Sequence, residues 1–183
     1  MIDSTLNVFT GKCYFPLAID KKLHVTMSAS SYAQDIELKA TTHVLISNVW
    51  KPKRSDSNPW LQVSFNERVV ITGLGIHGDW SIRSTWRWLE HYEVAYSIDG
   101  EDWTIHEQLD DRPGTGSPIC DTYIGLIPQF KASHLRVYPD GFLTRRGILD
   151  VRIVEIFGCR ATGECIMFDY FRVRVRVLCN CLT

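Results

Sequence analysis

The sequence has no long apolar segment and no excess of charge. No run approaches the ~18 apolar residues that a membrane-spanning helix needs, so we expect no such helix. The formal net charge is −1, so nothing global draws the chain to nucleic acid or to an anionic membrane. Residues 1–7 carry neither a basic region nor a long apolar core, and we expect no secretory signal peptide there.

The motifs of common enzyme sites are also missing. The chain has no Gly-x-Ser-x-Gly, no His-Glu-x-x-His and no phosphate-binding loop, and its six histidines are scattered. We therefore predict that it is not an enzyme. No stretch makes a convincing long amphipathic helix and no internal repeat is visible, which favours an all-β chain.

Six cysteines are present, but no Cys-x-x-Cys pair is among them. The Cys179-x-Cys181 pair has a poor spacing for zinc and no histidine nearby, so we predict no metal site. Disulfides are the better interpretation, and they imply an oxidising compartment. Six cysteines allow fifteen connectivities, and their spacing does not choose among them. The positions are 13, 120, 159, 165, 179 and 181.

What is present is the pattern of a globular β protein. With 183 residues, 45% hydrophobic and 22% charged, the chain is long enough for one domain of about 150 residues and a tail. Leu61, Val63 and Phe65 alternate with polar residues, as in a strand with one buried face. The polar residues 66–68 are expected to turn the chain into a second apolar strand at 69–76. Further strands are predicted at 24–28, 92–97, 103–109, 134–139 and 151–157, with a hairpin turn at Asp99-Gly100 and surface loops at 28–35, 51–59 and 110–118.

The tail after Cys159 has a different character. Residues 171–178 alternate strictly, giving one apolar face and one face with Arg172, Arg174 and Arg176. One interpretation is an added edge strand whose arginines discourage further pairing. A basic binding strip and the truncated start of a following segment are the alternatives.

An ordered series of short segments carries most of the remaining information. It comprises Cys13 with Pro16-Leu17, Trp50-Lys51-Pro52, Trp60-Leu61-Gln62-Val63, the run from Tyr92 to Trp103, Leu135 to Pro139, and Glu155 to Cys159. In order and spacing these segments resemble the discoidin domain, also called the coagulation factor 5/8 type C domain. The resemblance covers residues 13–159, with 1–12 as a leader of uncertain order and 160–183 as a tail.

The resemblance implies a discoidin-type, jelly-roll-like β-barrel or sandwich of about eight main antiparallel strands. It also implies a bridge between Cys13 and Cys159. Closing so long a loop would stabilise the fold by up to ~5 kcal/mol in the chain-entropy model. One departure concerns Ser64 and Ile153, which stand where the family has an acidic residue and an arginine. We hypothesise that a buried polar pair became neutral there, which requires the two positions to be close.

The resemblance further implies a non-catalytic extracellular recognition or cell-adhesion module. Its ligand would be a collagen-like or other glycoprotein, or a glycan, and the chain would be secreted or part of an ectodomain. The alternatives are a phosphatidylserine or other phospholipid surface, and a glycan-binding accessory domain of a larger enzyme. No cofactor is implied, and no compact acidic cluster supports calcium.

Three loops at one end of the barrel correspond to the family's ligand-binding loops: 30–38, 43–48 and 79–86. In the third, Trp80, Ile82 and Trp86 have no partner strand to pack on, which is typical of an interaction site. Arg83 would add a salt-dependent contact to phosphate, sulfate or carboxylate. The alternative is that both tryptophans fold back onto the barrel as a lid. The predicted ligand-binding residues are Tyr32, Gln34, Asp35, Trp80, Ile82, Arg83 and Trp86.

Overall fold

A computed structural model describes residues 13, 15–32, 50–77, 91–107, 121–140, 143–144, 147–148, 152–161 and 177–178. Within these ranges the strands are β1 (Phe15–Pro16), β2 (Val25–Ala29), β3 (Leu61–His77), β4 (His91–Ser97), β5 (Thr104–Ile105), β6 (Asp121–Asp140), β7 (Leu143–Thr144), β8 (Gly147–Ile148), β9 (Arg152–Arg160) and β10 (Val177–Leu178). In the same described ranges one 3-10 turn, Leu17–Ile19, accompanies these strands.

Eight of these strands form one antiparallel sheet. Its main path runs β1-β9-β3-β6-β4-β5, with β2 paired to β3 and β10 paired to β6, while β7 and β8 pair with each other. The all-β, discoidin-type prediction is confirmed, and so are the strands expected near 24–28, 92–97 and 151–157. The two residues of β10 pair with β6, while residues 162–176 lie outside the described residues, so the edge-strand interpretation of the tail stays a prediction.

The turn expected at residues 66–68 is wrong, because β3 continues through it. Ser64 pairs with His134 and Val69 pairs with Ala132, so both halves of β3 lie beside the same strand, β6. Four residues of β3 therefore face one residue of β6, which is a bulge rather than a reversal. Beyond the bulge β3 exchanges its other neighbour, from β2 to β9.

Asn66 and Glu67 of the bulge bond to residues of neighbouring segments. Asn66 accepts the backbone N–H of His24 at its Oδ1 at 2.8 Å, and its own N–H donates to the His24 carbonyl at 3.1 Å. Arg160 forms an ion pair with Glu67, in which Nη2 donates to Oε2 at 2.8 Å. Because residues of neighbouring segments pair with these polar groups, the chain can stay in the sheet instead of turning away from it.

β6 is longer than the sequence pattern predicted. The expected strand at 134–139 is its second half, and the first half begins at Asp121. Gly125 and Pro128 interrupt the apolar alternation there, and the Ile127–Pro128 peptide is cis. Proline lacks a backbone donor and glycine lacks a side chain to pack, so a strand containing both carries little signal in its sequence. By contrast, the strand predicted at 103–109 is only Thr104–Ile105 in the described residues.

The core lies on the inner face of the sheet, where the alternation at Leu61, Val63 and Phe65 predicted it. These side chains are buried together with residues of β4, β6 and β9, and with Trp50 from the preceding segment. Cys13 and Cys159 are bridged, with their Cα atoms 5.2 Å apart, and the predicted disulfide is thereby present. It packs in a small buried cluster with Val70 of β3.

The hypothesis that links Ser64 to Ile153 is wrong. Ile153 lies opposite Ile76, at the far end of β3 from Ser64. Ser64 instead contacts His134, whose Nδ1 lies 2.9 Å from the serine Oγ. A polar contact therefore remains at Ser64, but its partner is on β6 and on the outer face of the sheet.

Glu155 is a buried carboxyl group on β9. It lies opposite Gly75 and accepts the backbone N–H of Ile156 at 3.0 Å, and the Ala18 N–H also hydrogen-bonds to it. Burial raises its pKa to about 7, against the opposing effect of these two donors. The folded protein therefore favours the protonated acid more strongly than the unfolded chain does.

We expect Glu155→Gln to flatten the pH dependence of stability. The stabilising preference for the protonated form is complete below the unfolded pKa of about 4.5 and is lost as pH rises through 7. Raising the pH from 5 to 8 should therefore lower the free energy of unfolding of the wild type by about 2–3 kcal/mol through this group. The amide in Glu155→Gln cannot ionise, so the variant should not show this loss. Urea denaturation at both pH values measures it, with Glu93→Gln, which replaces an exposed glutamate of β4, as the control. Equal pH dependence in wild type and Glu155→Gln would contradict the assignment.

Candidate ligand-binding site

The third predicted loop begins at one end of the barrel. β3 ends at His77, whose register partners are Asp121 at the start of β6 and Arg152 at the start of β9. Three strand ends therefore meet where residue 78 continues the chain. Trp80, Ile82, Arg83 and Trp86 lie outside the described residues, so their contact with a ligand stays a prediction, as does the alternative in which the tryptophans cover the barrel.

Only the beginning of the first predicted loop is described. Tyr32 is half-buried and packs against the core cluster, so part of its ring is committed to the fold. A role of Tyr32 in binding stays a prediction. Gln34, Asp35 and the loop at 43–48 lie outside the part of the chain that the structure describes.

Asp56 anchors the start of this first loop. The hydroxyl groups of Ser30 and Ser31 both donate to its Oδ2 at 2.6 Å, and the backbone N–H of Asn58 donates to its Oδ1 at 3.1 Å. Burial alone would raise the pKa of Asp56, but these three hydrogen bonds favour the carboxylate and leave the pKa below its ordinary value. The loop at 51–59, predicted from its composition, thus holds the first loop through a charged acceptor.

Backbone hydrogen bonds complete the anchor. The Ser30 N–H donates to the Trp60 carbonyl at 3.0 Å, and the Trp60 N–H donates to the Ser30 Oγ at 3.0 Å. The indole of buried Trp50 donates to the Ser31 carbonyl at 2.8 Å. The position and direction of the chain at Ser31 are therefore fixed before it enters residues 33–49.

A second cluster lies on the outer face of the sheet and consists of Arg136, Trp60, Trp103 and Gln62; we call it the Arg136 cluster. The guanidinium carbon of Arg136 is 4.1 Å from the ring centroid of Trp60 and 3.8 Å from that of Trp103. The Arg136 Nε donates to the Gln62 Oε1 at 2.8 Å. A cation held between two indoles gains about 0.5–2 kcal/mol from each, so this arrangement ties the β4–β5 turn to the start of β3.

The network continues from Arg136 along both strands. The Gln62 Nε2 donates to the Ser64 Oγ at 2.9 Å, and Ser64 in turn contacts His134. The His134 ring lies against Gly100, where an added Cβ would be 3.4 Å from its Nε2. Gly100 has a φ of +84°, a conformation that glycine adopts without strain.

Asp99 fixes the turn that presents Trp103. Its Oδ1 accepts the backbone N–H groups of Glu101 at 2.9 Å and Asp102 at 3.0 Å, and the Ser97 hydroxyl at 2.9 Å. These backbone hydrogen bonds, followed by that from Ser97, lower the pKa of Asp99 to about 2. The turn predicted at Asp99-Gly100 is confirmed, and it positions the indole over Arg136.

Trp60, Trp103 and Arg136 lie in the segments that carry the family resemblance, but the sequence pattern predicts no role for them. Trp60, Gln62 and Ser64 alternate with the buried residues of β3, and this signal places them together on the outer face. Their association with Arg136 depends on strand order, which the local pattern does not contain. The side chains of the cluster use their stacking and hydrogen bonds on one another, and we interpret it as a structural support.

No group of three or more His, Cys, Asp or Glu side chains suited to a metal ion occurs in the described ranges. Nor does any helix within those ranges combine the length and apolar character needed to cross a bilayer.

Known proteins resemble this chain over most of its length. Human coagulation factor VIII is 24% identical over 165 residues, which are 82% of this chain and 7% of factor VIII. The mouse EGF-like repeat and discoidin I-like domain-containing protein 3 is 27% identical over 124 residues, 63% of this chain and 24% of that protein. The chain thus spans less than a quarter of the length of either relative.

Solved structures share the fold at low sequence identity. Discoidin II from Dictyostelium discoideum superposes with a TM-score of 0.55 at 14% identity, covering 73% of this chain and 54% of that one. The chitosan-binding module 1 of a chitosanase/glucanase from Paenibacillus sp. IK-5 gives a TM-score of 0.52 at 15% identity, covering 79% and 99%. The F5/8 type C domain model matches residues 26–149. The chain therefore belongs to the F5/8 type C domain family.

Proposed function

We propose that this chain is a non-catalytic recognition module that binds a glycoprotein or glycan through residues 79–86. The observation that carries the proposal is the end of β3 at His77, beside the ends of β6 and β9. A segment with two tryptophans, an isoleucine and an arginine follows that end within a few residues. Binding modules carry their contact residues on loops that a rigid scaffold positions.

The chemistry of this segment suits a glycan or glycoprotein. Burying one tryptophan removes ~150–250 Å² from water, which contributes a few kcal/mol at ~25 cal/mol per Å². Indole faces stack on apolar surfaces, and Arg83 adds a charge-assisted contact to an anionic substituent. The related Paenibacillus module is named for binding chitosan, which supports a sugar ligand here.

An extracellular setting is part of the proposal. The buried Cys13–Cys159 bridge is of the kind that persists in oxidising compartments. Coagulation factor VIII is among the relatives, and this favours a module of a secreted or cell-surface protein. The alternative, an accessory domain of a larger enzyme, draws support from the Paenibacillus module, which belongs to a chitosanase/glucanase.

A binding panel with loop variants tests the proposal. Wild type, Trp80→Ala and Arg83→Ala are applied to a glycan array that includes chitosan oligosaccharides, and to collagen-coated plates. We expect each variant to lose at least about tenfold in affinity, equivalent to ~1.4 kcal/mol, and the Arg83 loss to shrink at high salt. Arg54→Ala, on the exposed part of the 51–59 loop, should bind like wild type. Binding that neither loop variant weakens would contradict the proposal.

The same proteins applied to liposomes test a phospholipid surface. The first loop offers Tyr32, Ala33, Gln34 and Asp35 in place of bulky apolar residues, and the net charge of −1 gives no general attraction to anionic lipid. We therefore expect no co-sedimentation with or without phosphatidylserine. Phosphatidylserine-dependent sedimentation that Trp80→Ala abolishes would replace the glycan with a lipid as the ligand of this loop.

A further inference from the structure

The β4–β5 hairpin, residues 91–107, forms one edge of the main sheet. The path through the described strands ends at β5, where Ile105 pairs with Ala95 of β4. The backbone N–H of His106 donates to the Val94 carbonyl at 2.8 Å. Hydrogen-bonded and non-hydrogen-bonded pairs alternate along an antiparallel ladder, so Ala95 and Ile105 are a non-hydrogen-bonded pair. The N–H and C=O groups of Ile105 therefore point away from β4, toward the side on which no described strand lies.

Three isoleucine side chains are exposed around this edge. Ile98, in the turn before β5, is 47% exposed, and Ile105 is 50% exposed. Ile127 is 48% exposed and precedes Pro128, whose carbonyl oxygen lies 2.7 Å from the His106 Nε2. Within the described ranges these three are the exposed large hydrophobic side chains. Apolar side chains that are exposed together, rather than scattered, mark an interaction surface.

The hairpin is also strongly acidic. Residues 91–107 contain five acidic residues and neither lysine nor arginine, whereas the whole chain has a net charge of only −1. All five are exposed, and they are Glu93, Asp99, Glu101, Asp102 and Glu107. An acidic strand, or the same edge of a second copy, would bring like charges together and be repelled. A strand that carries lysine or arginine would be attracted, so the charge selects the kind of partner.

We propose that the β5 edge binds an extended segment of a protein partner in which lysine or arginine alternates with apolar residues. The segment would add to the sheet as a further strand, accepting the N–H of Ile105 and donating to its C=O. Its apolar side chains would cover the exposed isoleucines, while the carboxylates before and after β5 attract its basic side chains. Residues 79–86 are not part of this surface, so the proposal does not depend on the proposed function.

Selection from a displayed library of random dodecapeptides tests the proposal on the full chain. Peptides that bind wild type are counter-selected on Ile105→Pro, which removes the outward N–H donor but no hydrogen bond to β4. We expect the remaining peptides to alternate basic with apolar residues and to bind Ile105→Pro at least about tenfold more weakly than wild type. Ile105→Val keeps the donor and a β-branched side chain, and this matched control should bind like wild type.

Methylation of the selected peptides at their backbone nitrogens tests whether they bind as a strand. Only every second N–H of an added strand faces β5, because the others point to its far side. Methylation of one alternate set of amides should therefore abolish binding, and methylation of the other set should preserve it. Loss of binding with neither set would overturn the proposal.

Two further variants keep the test decisive if Ile105→Pro folds poorly. Reversal of charge in Glu101→Lys/Glu107→Lys should weaken binding of the selected peptides at least about tenfold. Trp80→Ala should leave their binding unchanged, which separates this surface from residues 79–86. The proposal is overturned if wild type enriches no peptides of this pattern, if folded Ile105→Pro or the charge-reversed variant binds them as tightly as wild type, or if Trp80→Ala abolishes binding.

Discussion

Replacing both Cys13 and Cys159 by serine is expected to lower the free energy of unfolding by about 5 kcal/mol. The two residues are 146 positions apart in sequence, so the bridge closes almost the whole barrel into one loop. In the chain-entropy model the gain comes from the conformations that the bridge removes from the unfolded chain. A loss of this size approaches the whole stability of an ordinary domain.

Urea denaturation of wild type and the double serine variant measures this loss at one pH and temperature. Cys165→Ser provides the control, because it replaces one cysteine without touching the bridge. We expect the control to unfold near the wild-type midpoint and the double variant to be largely unfolded or close to it. A difference below about 1 kcal/mol between wild type and the double variant would contradict the role of the bridge.

The second large effect is expected at Gly158, next to the bridge. A Cβ at this position would lie 2.0 Å from the carbonyl oxygen of Val70 and 3.1 Å from the Leu17 Cδ1. The obstructing atom belongs to the backbone of β3, so it cannot move aside as a side chain would. Gly158→Ala must therefore separate β9 from β3, and we expect the free energy of unfolding to fall by about 3 kcal/mol or more.

Gly125→Ala is the matched control for this substitution. Gly125 is also in a long strand, but an added Cβ there meets no atom within 4 Å. We expect its free energy of unfolding to stay within about 1 kcal/mol of wild type. If Gly158→Ala unfolds at the same urea concentration as Gly125→Ala, the close packing of β9 on β3 is not as described.

The parts of the fold that could be predicted from sequence are strands whose residues alternate between a buried and an exposed face. Leu61, Val63 and Phe65 show their inner face because alternation is a local property of a strand with one buried side. The turn predicted at residues 66–68 is absent because polar side chains there can pair with residues distant in sequence, as Glu67 does with Arg160. The first half of β6 was missed because Gly125 and Pro128 hide its alternation.

The candidate site likewise has a part that the local sequence predicts and a part that depends on contacts between distant segments. A pattern of tryptophans and an arginine after a strand predicts a binding loop at 79–86, and only binding measurements test that prediction. The Arg136 cluster could not be predicted, since it needs Trp60, Trp103 and Arg136 to come from three places that only the strand order brings together. The hydrogen bonds of Asp56 to Ser30 and Ser31 likewise join segments that no local pattern relates.

Hydrogen–deuterium exchange with and without the ligand found in the panel tests the central claim most directly. The claim is that residues following the end of β3 bind the ligand while the outer face of the sheet supports the barrel. We predict slower exchange on binding in peptides covering residues 78–90, and unchanged exchange in the 51–59 loop and around Arg136. Slower exchange around Arg136 on binding, with no change at residues 78–90, would contradict this claim and would indicate a binding site on the outer face of the sheet.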